Sequence, residues 1–274
     1  MPSFLDKIMA QKLAELETLG DSIPWSTLAA DLQSAPRPQE FVERLDPSRL
    51  AVIAEVKRAS PSKGDIAPDL DATVQARRYL AGRADAISVL IDEAFYRGNL
   101  ADLQAVRAAV SVPLLAKDFI LDFRGLVQAR LHGADMVLLI VAVVGAETLP
   151  ALLLETAKLG MTPLVEVYTE EEARVAIDCG APLIGINNRD LHTFDVSLET
   201  TERLAPLICP YSPVFSLSGI KTVEDAERIA QSGARGVLVG EALVRSDDPA
   251  RLIQELRHVS LPPETVRRES EREV

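Results

Sequence analysis

The sequence predicts an α/β chain folded as a closed (β/α)8 barrel, a TIM barrel, with a helical extension at its N-terminus. Apolar, β-branched-rich runs recur at Ala51–Lys57, Ala86–Ile91, Val112–Lys117, Met136–Val141, Pro163–Val167, Leu183–Asn187, Val214–Ser218 and Gly236–Val239. Such near-continuous runs read as parallel strands buried on both faces. Helix-like segments alternate with them, and eight units of this length suit a closed barrel better than an open sheet. No GxGxxG follows a strand, which counts against a dinucleotide-binding half.

Before the first strand, Phe4, Ile8, Leu13 and Leu16, with neighbouring charges, suggest an amphipathic helix ending at Gly20. Pro24, Pro36 and Pro38 then break the chain ahead of a short helical turn at Phe41–Leu45. Residues 1–48 thus read as an extension packed on the barrel, 49–260 as the barrel, and 261–274 as a polar, mobile tail. The barrel helices are expected at Asp71–Ala81, Leu100–Val110, Phe123–Leu131, Glu147–Leu159, Glu170–Cys179, Leu198–Ile208, Val223–Ser232 and Ala250–Val259. Gly133, Gly160, Gly180 and Gly233 stand where helix C-termini favour glycine. Thr169 with Glu170–Glu172, and Thr222 with Glu224 and Asp225, look like capped helix starts.

Composition narrows the function class. At 47% hydrophobic and 26% charged, the 274 residues are ordinary for a soluble globular protein. A net charge of -12 argues against nucleic-acid binding, which needs a basic surface, but leaves room for a small anionic ligand. Cys179 and Cys209 lack metal-ligand spacing and read as buried reduced thiols. The N-terminus is acidic and helical in period, unlike a signal peptide. The longest apolar run, Met136–Val144, falls far short of the roughly 20 residues of a membrane span. A cytoplasmic protein is expected.

The barrel's active site should lie at the carboxyl ends of its strands, where ionisable residues gather. Side chains two apart on a strand share a face, so Glu55 and Lys57 project together. They could be a structural ion pair or the start of a site. Strand three ends in Lys117-Asp118, strand five carries Glu166 between two valines, and strand six ends in Asn187-Asn188-Arg189-Asp190. An unpartnered buried carboxylate is costly, and lysines set beside carboxylates supply acids and bases near neutral pH. Ser60, Ser218-Gly219 and Gly240-Glu241 place small residues at three turns of the rim, a pattern that suits a phosphate.

The run Ile53-Ala54-Glu55-Val56-Lys57-Arg58-Ala59-Ser60-Pro61-Ser62 resembles the signature of the indole-3-glycerol phosphate synthase family. The likeness continues through Leu115–Ile120, Ala134–Ile140, Leu164–Val167, Gly185–Leu191 and Ser218–Ile220, and covers nearly the whole chain. It implies a lyase of tryptophan biosynthesis that uses no cofactor or metal. The substrate would be 1-(o-carboxyphenylamino)-1-deoxyribulose 5-phosphate, closed to indole-3-glycerol phosphate with loss of carbon dioxide and water. Lys117 would be the general acid, and Lys57 would hold the substrate carboxylate and donate a proton during dehydration. Glu55 and Glu166 would share the proton-accepting and orienting roles, and Asn187 would hydrogen-bond the substrate. Ser60, Ser218, Gly219, Gly240 and Glu241 would hold the phosphate. Phe95 and Phe119 would line the anthranilate pocket, although a core role for Phe119 is nearly as plausible, and Arg189 would bind substrate. A monomer or weak homo-oligomer is expected.

One position departs from the family. A Glu usually precedes the Ser-Gly-Ile of strand seven, and here it is Leu217. Either that Glu only supports a lysine, or the chain is a paralogue of altered preference or a catalytically silent binding subunit. The working synthase is the favoured reading. An isomerase acting on a related phosphorylated amino-sugar finds no support in the paired lysines.

Overall fold

The structure is a computed structural model and describes residues 4–19, 31–32 and 35–263. Eight parallel strands close into a barrel in the order β1-β8-β7-β6-β5-β4-β3-β2. They are β1 (Ala51–Val56), β2 (Ala86–Leu90), β3 (Leu114–Lys117), β4 (Met136–Ile140), β5 (Thr162–Val167), β6 (Ile184–Asn187), β7 (Val214–Leu217) and β8 (Gly236–Val239). All eight expected runs form strands. Most strands shift at one end by one or two residues: β3 begins at Leu114 rather than Val112, and β4 stops at Ile140, where Val141 opens the next helix, because an apolar run alone does not say where extended backbone stops.

Alternation along the strands divides the core in two. Ile53, Ala86, Leu115, Leu138, Leu164, Phe215 and Leu238 fill the barrel, and Val52, Ile87, Leu114, Val137, Val165 and Val237 face the helices. Phe41, beside the turn Val42–Arg44, plugs the amino-terminal end against Phe215 with ring centroids 5.6 Å apart. Thr169 and Thr222 form the expected capping boxes, with Glu172 and Asp225 closing them.

The extension helix Phe4–Leu19 is pinned to the carboxyl-terminal rim. Ile8 is fully buried in the inner cluster, and Phe4 meets Phe95 and Phe194 edge-on at 5.2 and 5.0 Å. Lys12, one helical turn further along the same face, enters a cluster of carboxylates. At the other end Leu261 is buried and its N–H donates to the Ser48 carbonyl, so the tail departs later than expected. Residues 264–274, and Gly20 and Pro24 of the extension, lie outside the described residues. Cys179 and Cys209 are half-buried rather than buried. Among the described residues no helix is long and apolar enough to cross a membrane.

Candidate active site

Inward-facing positions of the first, third, fifth and sixth strands end in polar groups that pair across the barrel mouth. Lys57 Nζ stands 2.6 Å from Glu55 Oε2, as the two-residue period requires. Lys117 Nζ stands 3.6 Å from Glu166 Oε2, within ion-pair range but beyond a hydrogen bond. The other Glu166 oxygen accepts from Asn187 Nδ2 at 2.8 Å, and Oε2 is buried with no hydrogen-bond partner. Asn187 is fixed in turn, because its Oδ1 accepts the Arg189 N–H at 3.0 Å. A buried carboxylate oxygen that faces an ammonium but makes no hydrogen bond is free to accept one from a ligand, or a proton.

Both ion pairs stand at the carboxyl ends of barrel strands. The Tyr96 phenol is pushed above the usual tyrosine range by burial, then by the fields of Glu55, Glu166 and Asp92. Tyr96 sits on the short helix Glu93–Tyr96, whose start Asp92 caps by accepting the Phe95 and Tyr96 N–H groups. It also packs on Phe119 with ring centroids 6.2 Å apart. Phe119 is 7% exposed and Phe95 half-buried beneath Phe4, so both aromatic residues belong to the apolar wall beneath the extension helix.

The proposed anion rim lies at the last two strands and at the loop after β1. Ser218 and Gly219 both take positive φ, 63° and 93°, which turns the chain sharply out of β7. Asn188 supports this turn by donating to the Leu217 and Ser218 carbonyls, and accepts from Thr201 on the far side. Gly240 leads directly into the helix Glu241–Arg245. A Cβ there would collide with the Glu55 carboxylate and stand 2.9 Å from Lys57 Nζ, so a side chain would displace that ion pair. The Glu241 carboxylate is drawn to Arg245 at 3.0 Å, which leaves its backbone as the part suited to an anion. Ser60 lies on a two-residue ribbon three positions beyond Lys57. Arg189 donates to the Phe194 carbonyl at 3.1 Å and braces its own loop.

Two features escaped the sequence reading, the contacts of Lys12 and of Arg58. Lys12 contacts Asp118 at 2.7 Å, Glu15 at 2.9 Å and Asp92 at 3.1 Å, tying the extension to the loops after β2 and β3. Burial alone would lower its pKa, but Asp118, with Asp92 and Glu15, holds the ammonium above its ordinary range. Arg58, inside the signature run, faces away from the mouth and binds Asp102 and the Leu70 carbonyl. Leu217 is 2% exposed and leans over Gly185, where a Cβ would stand 2.6 Å from its Cδ1.

Fold and site together define the class: a (β/α)8-barrel enzyme with lysine–glutamate pairs at the carboxyl ends of its strands. The family model for indole-3-glycerol phosphate synthase matches residues 5–256. The chain belongs to the indole-3-glycerol phosphate synthase family. It is 45% identical over 266 residues to an indole-3-glycerol phosphate synthase of Roseiflexus sp. (strain RS-1), covering 93% of this chain and 98% of that one. It is 44% identical to one from Mycolicibacterium gilvum, covering 92% and 93%. A multifunctional tryptophan biosynthesis protein of Schizosaccharomyces pombe is 43% identical over 94% of this chain, which spans 35% of that longer protein. Among solved structures, 3-hexulose-6-phosphate synthase from Salmonella typhimurium superposes with a TM-score of 0.58 at 16% identity, over 77% of this chain and 98% of that one. Thiamine phosphate pyrophosphorylase from Pyrococcus furiosus gives 0.55 at 19%, over 80% and 95%. At these identities the two share the fold.

Proposed function

We propose that this chain is an indole-3-glycerol phosphate synthase, a carboxy-lyase that closes the indole ring from 1-(o-carboxyphenylamino)-1-deoxyribulose 5-phosphate. The observation that carries this reading is the meeting of Lys57–Glu55 and Lys117–Glu166 at one barrel mouth. The substrate is flexible and bears an anion at each end, so holding both ends brings the aryl carbon against the ribulose carbonyl. Lys57 takes the aromatic carboxylate. Backbone groups of Ser218-Gly219 and Gly240-Glu241, with Ser60, take the phosphate.

As the carbon–carbon bond forms, negative charge develops on the carbonyl oxygen, and Lys117 stabilises it and donates a proton. The carboxylate then leaves as carbon dioxide, and its bonding pair restores the aromatic ring. In the last step Lys57 protonates the departing hydroxyl, which leaves as water, while a carboxylate removes the ring proton. Glu166, with one oxygen free of hydrogen bonds, suits that base. Asn187 holds Glu166 and hydrogen-bonds the substrate, Phe95 and Phe119 flank its aromatic ring, and Arg189 steadies the loop beside them. The protein works in the cytoplasm as a monomer or weak homo-oligomer.

Leu217 favours one second reading, a barrel that binds the same ligands without turning them over. Incubation of the purified chain with the substrate decides between them. Equal amounts of indole-3-glycerol phosphate and carbon dioxide are expected, and no product at high enzyme concentration contradicts the synthase.

A further inference from the structure

The opposite end of the barrel holds a second group of cations. A cleft of about 380 Å3 opens beside the amino ends of β1, β2 and β3, ringed by Arg44, Arg49, Arg83 and Arg257 around Asp85. A smaller cleft of about 260 Å3 adjoins it and shares three of these arginines. The larger volume lies in the range of small-molecule sites. Four guanidinium groups on a chain of net charge -12 are an unusual local excess.

Part of this group serves the fold. Asp85 accepts from Arg49 at 2.7 Å, from Arg257 at 3.2 Å and from the Val52 N–H at 2.9 Å, and Arg49 also contacts Asp46 at 3.3 Å. The other two arginines are not used this way. Arg44 donates to the Gln39 side chain, and among the described residues neither Arg44 nor Arg83 has a carboxylate within ion-pair distance.

Arg83 is also strained. Four barrel helices end in the same turn, with Gly133, Gly160, Gly180 and Gly233 at the left-handed position. The helix Ala72–Ala81 makes that turn too, closed by the Ala84 N–H on the Tyr79 carbonyl, but its left-handed residue is Arg83 at φ 63°. The glycine beside it, Gly82, answers a different need, because a Cβ there would stand 2.8 Å from Ala250. Glycine at 83 would relieve the turn, whereas arginine brings a charge to the cleft.

We propose that this amino-terminal cleft binds a small organic anion, its carboxylate or phosphate held by Arg83 and Arg44 and its apolar part against Leu45 and Leu80. Guanidinium forks match both oxyanions in two-point geometry. The proposal is independent of the ring-closure chemistry at the other end.

Calorimetric titration of the full chain with citrate and, separately, with inorganic phosphate tests it. Arg83→Gly removes the charge and the strain together, so it should melt no lower than the parent and bind at least tenfold more weakly. Arg44→Ala, on another element, should weaken the same probe, and neither change should alter the rate of ring closure. The probe that shows the difference names the charged group of the ligand. A parent that binds neither probe, or variants that bind as the parent does because the anion sits at the other end, would overturn the proposal. So would Arg83→Gly melting lower than the parent, which would make the side chain structural.

Discussion

Gly240 lies so close to Glu55 that a Cβ on it would occupy the space of the carboxylate and crowd Lys57 Nζ to 2.9 Å. The last strand of the barrel therefore shapes the ion pair of the first. Gly240→Ala should push Glu55 and Lys57 out of register and slow turnover by about 10–100-fold, since ångström displacements at reacting groups cost that much. Circular dichroism should be unchanged, and steady-state rates check the prediction.

Glu55 and Glu166 differ in what they hold. Glu55 is tied to Lys57 at 2.6 Å, whereas Glu166 keeps one buried oxygen free of hydrogen bonds. Glu55→Gln and Glu166→Gln should each cut the rate by about 10²–10⁴. Glu166→Gln alone should lose a limb of the pH–rate profile. A lost limb in Glu55→Gln instead would exchange their roles.

Lys12 neutralises buried Asp92 and half-buried Asp118. Lys12→Met leaves them uncompensated and should cost about 3–5 kcal/mol in denaturant unfolding. The pH dependence has a definite sign. Lys12's pKa is raised on folding, so its contribution is complete below its ordinary value of 10.5 and fades as pH climbs beyond it. The gap in melting temperature between parent and variant should therefore be constant to about pH 10 and narrow above it.

Leu217 packs with Leu164, Phe215 and Leu238 and covers Gly185. Leu217→Glu should lower stability by about 2 kcal/mol or more, because a carboxylate replaces an apolar side chain at a buried position. The rate should not fall. A stable variant with a lower rate would mean that the leucine itself shapes the site.

Much of this arrangement was legible in the chain. The period of two placed Glu55 with Lys57, and equivalence of strand ends placed Lys117 and Glu166 at one mouth, because a barrel turns such positions inward. The Lys12 cluster was not legible. A lysine on an amphipathic helix reads as solvated, and only the docking angle of the extension shows it buried. The partner of Arg58 was not legible either, because its guanidinium reaches Asp102, forty-four residues away. The strand end at Ile140 was hidden by apolar residues that continue into a helix. Arg83 gave no signal, since its left-handed backbone depends on Gly82 being taken up by Ala250.

The central claim is that Lys117, held opposite Glu166, delivers the proton that allows the ring to close. Single-turnover formation of indole-3-glycerol phosphate by the parent and by Lys117→Met tests it most directly. A folded Lys117→Met protein that binds substrate but closes the ring at least about 100-fold more slowly is the predicted result. Closure at the parent rate would contradict it.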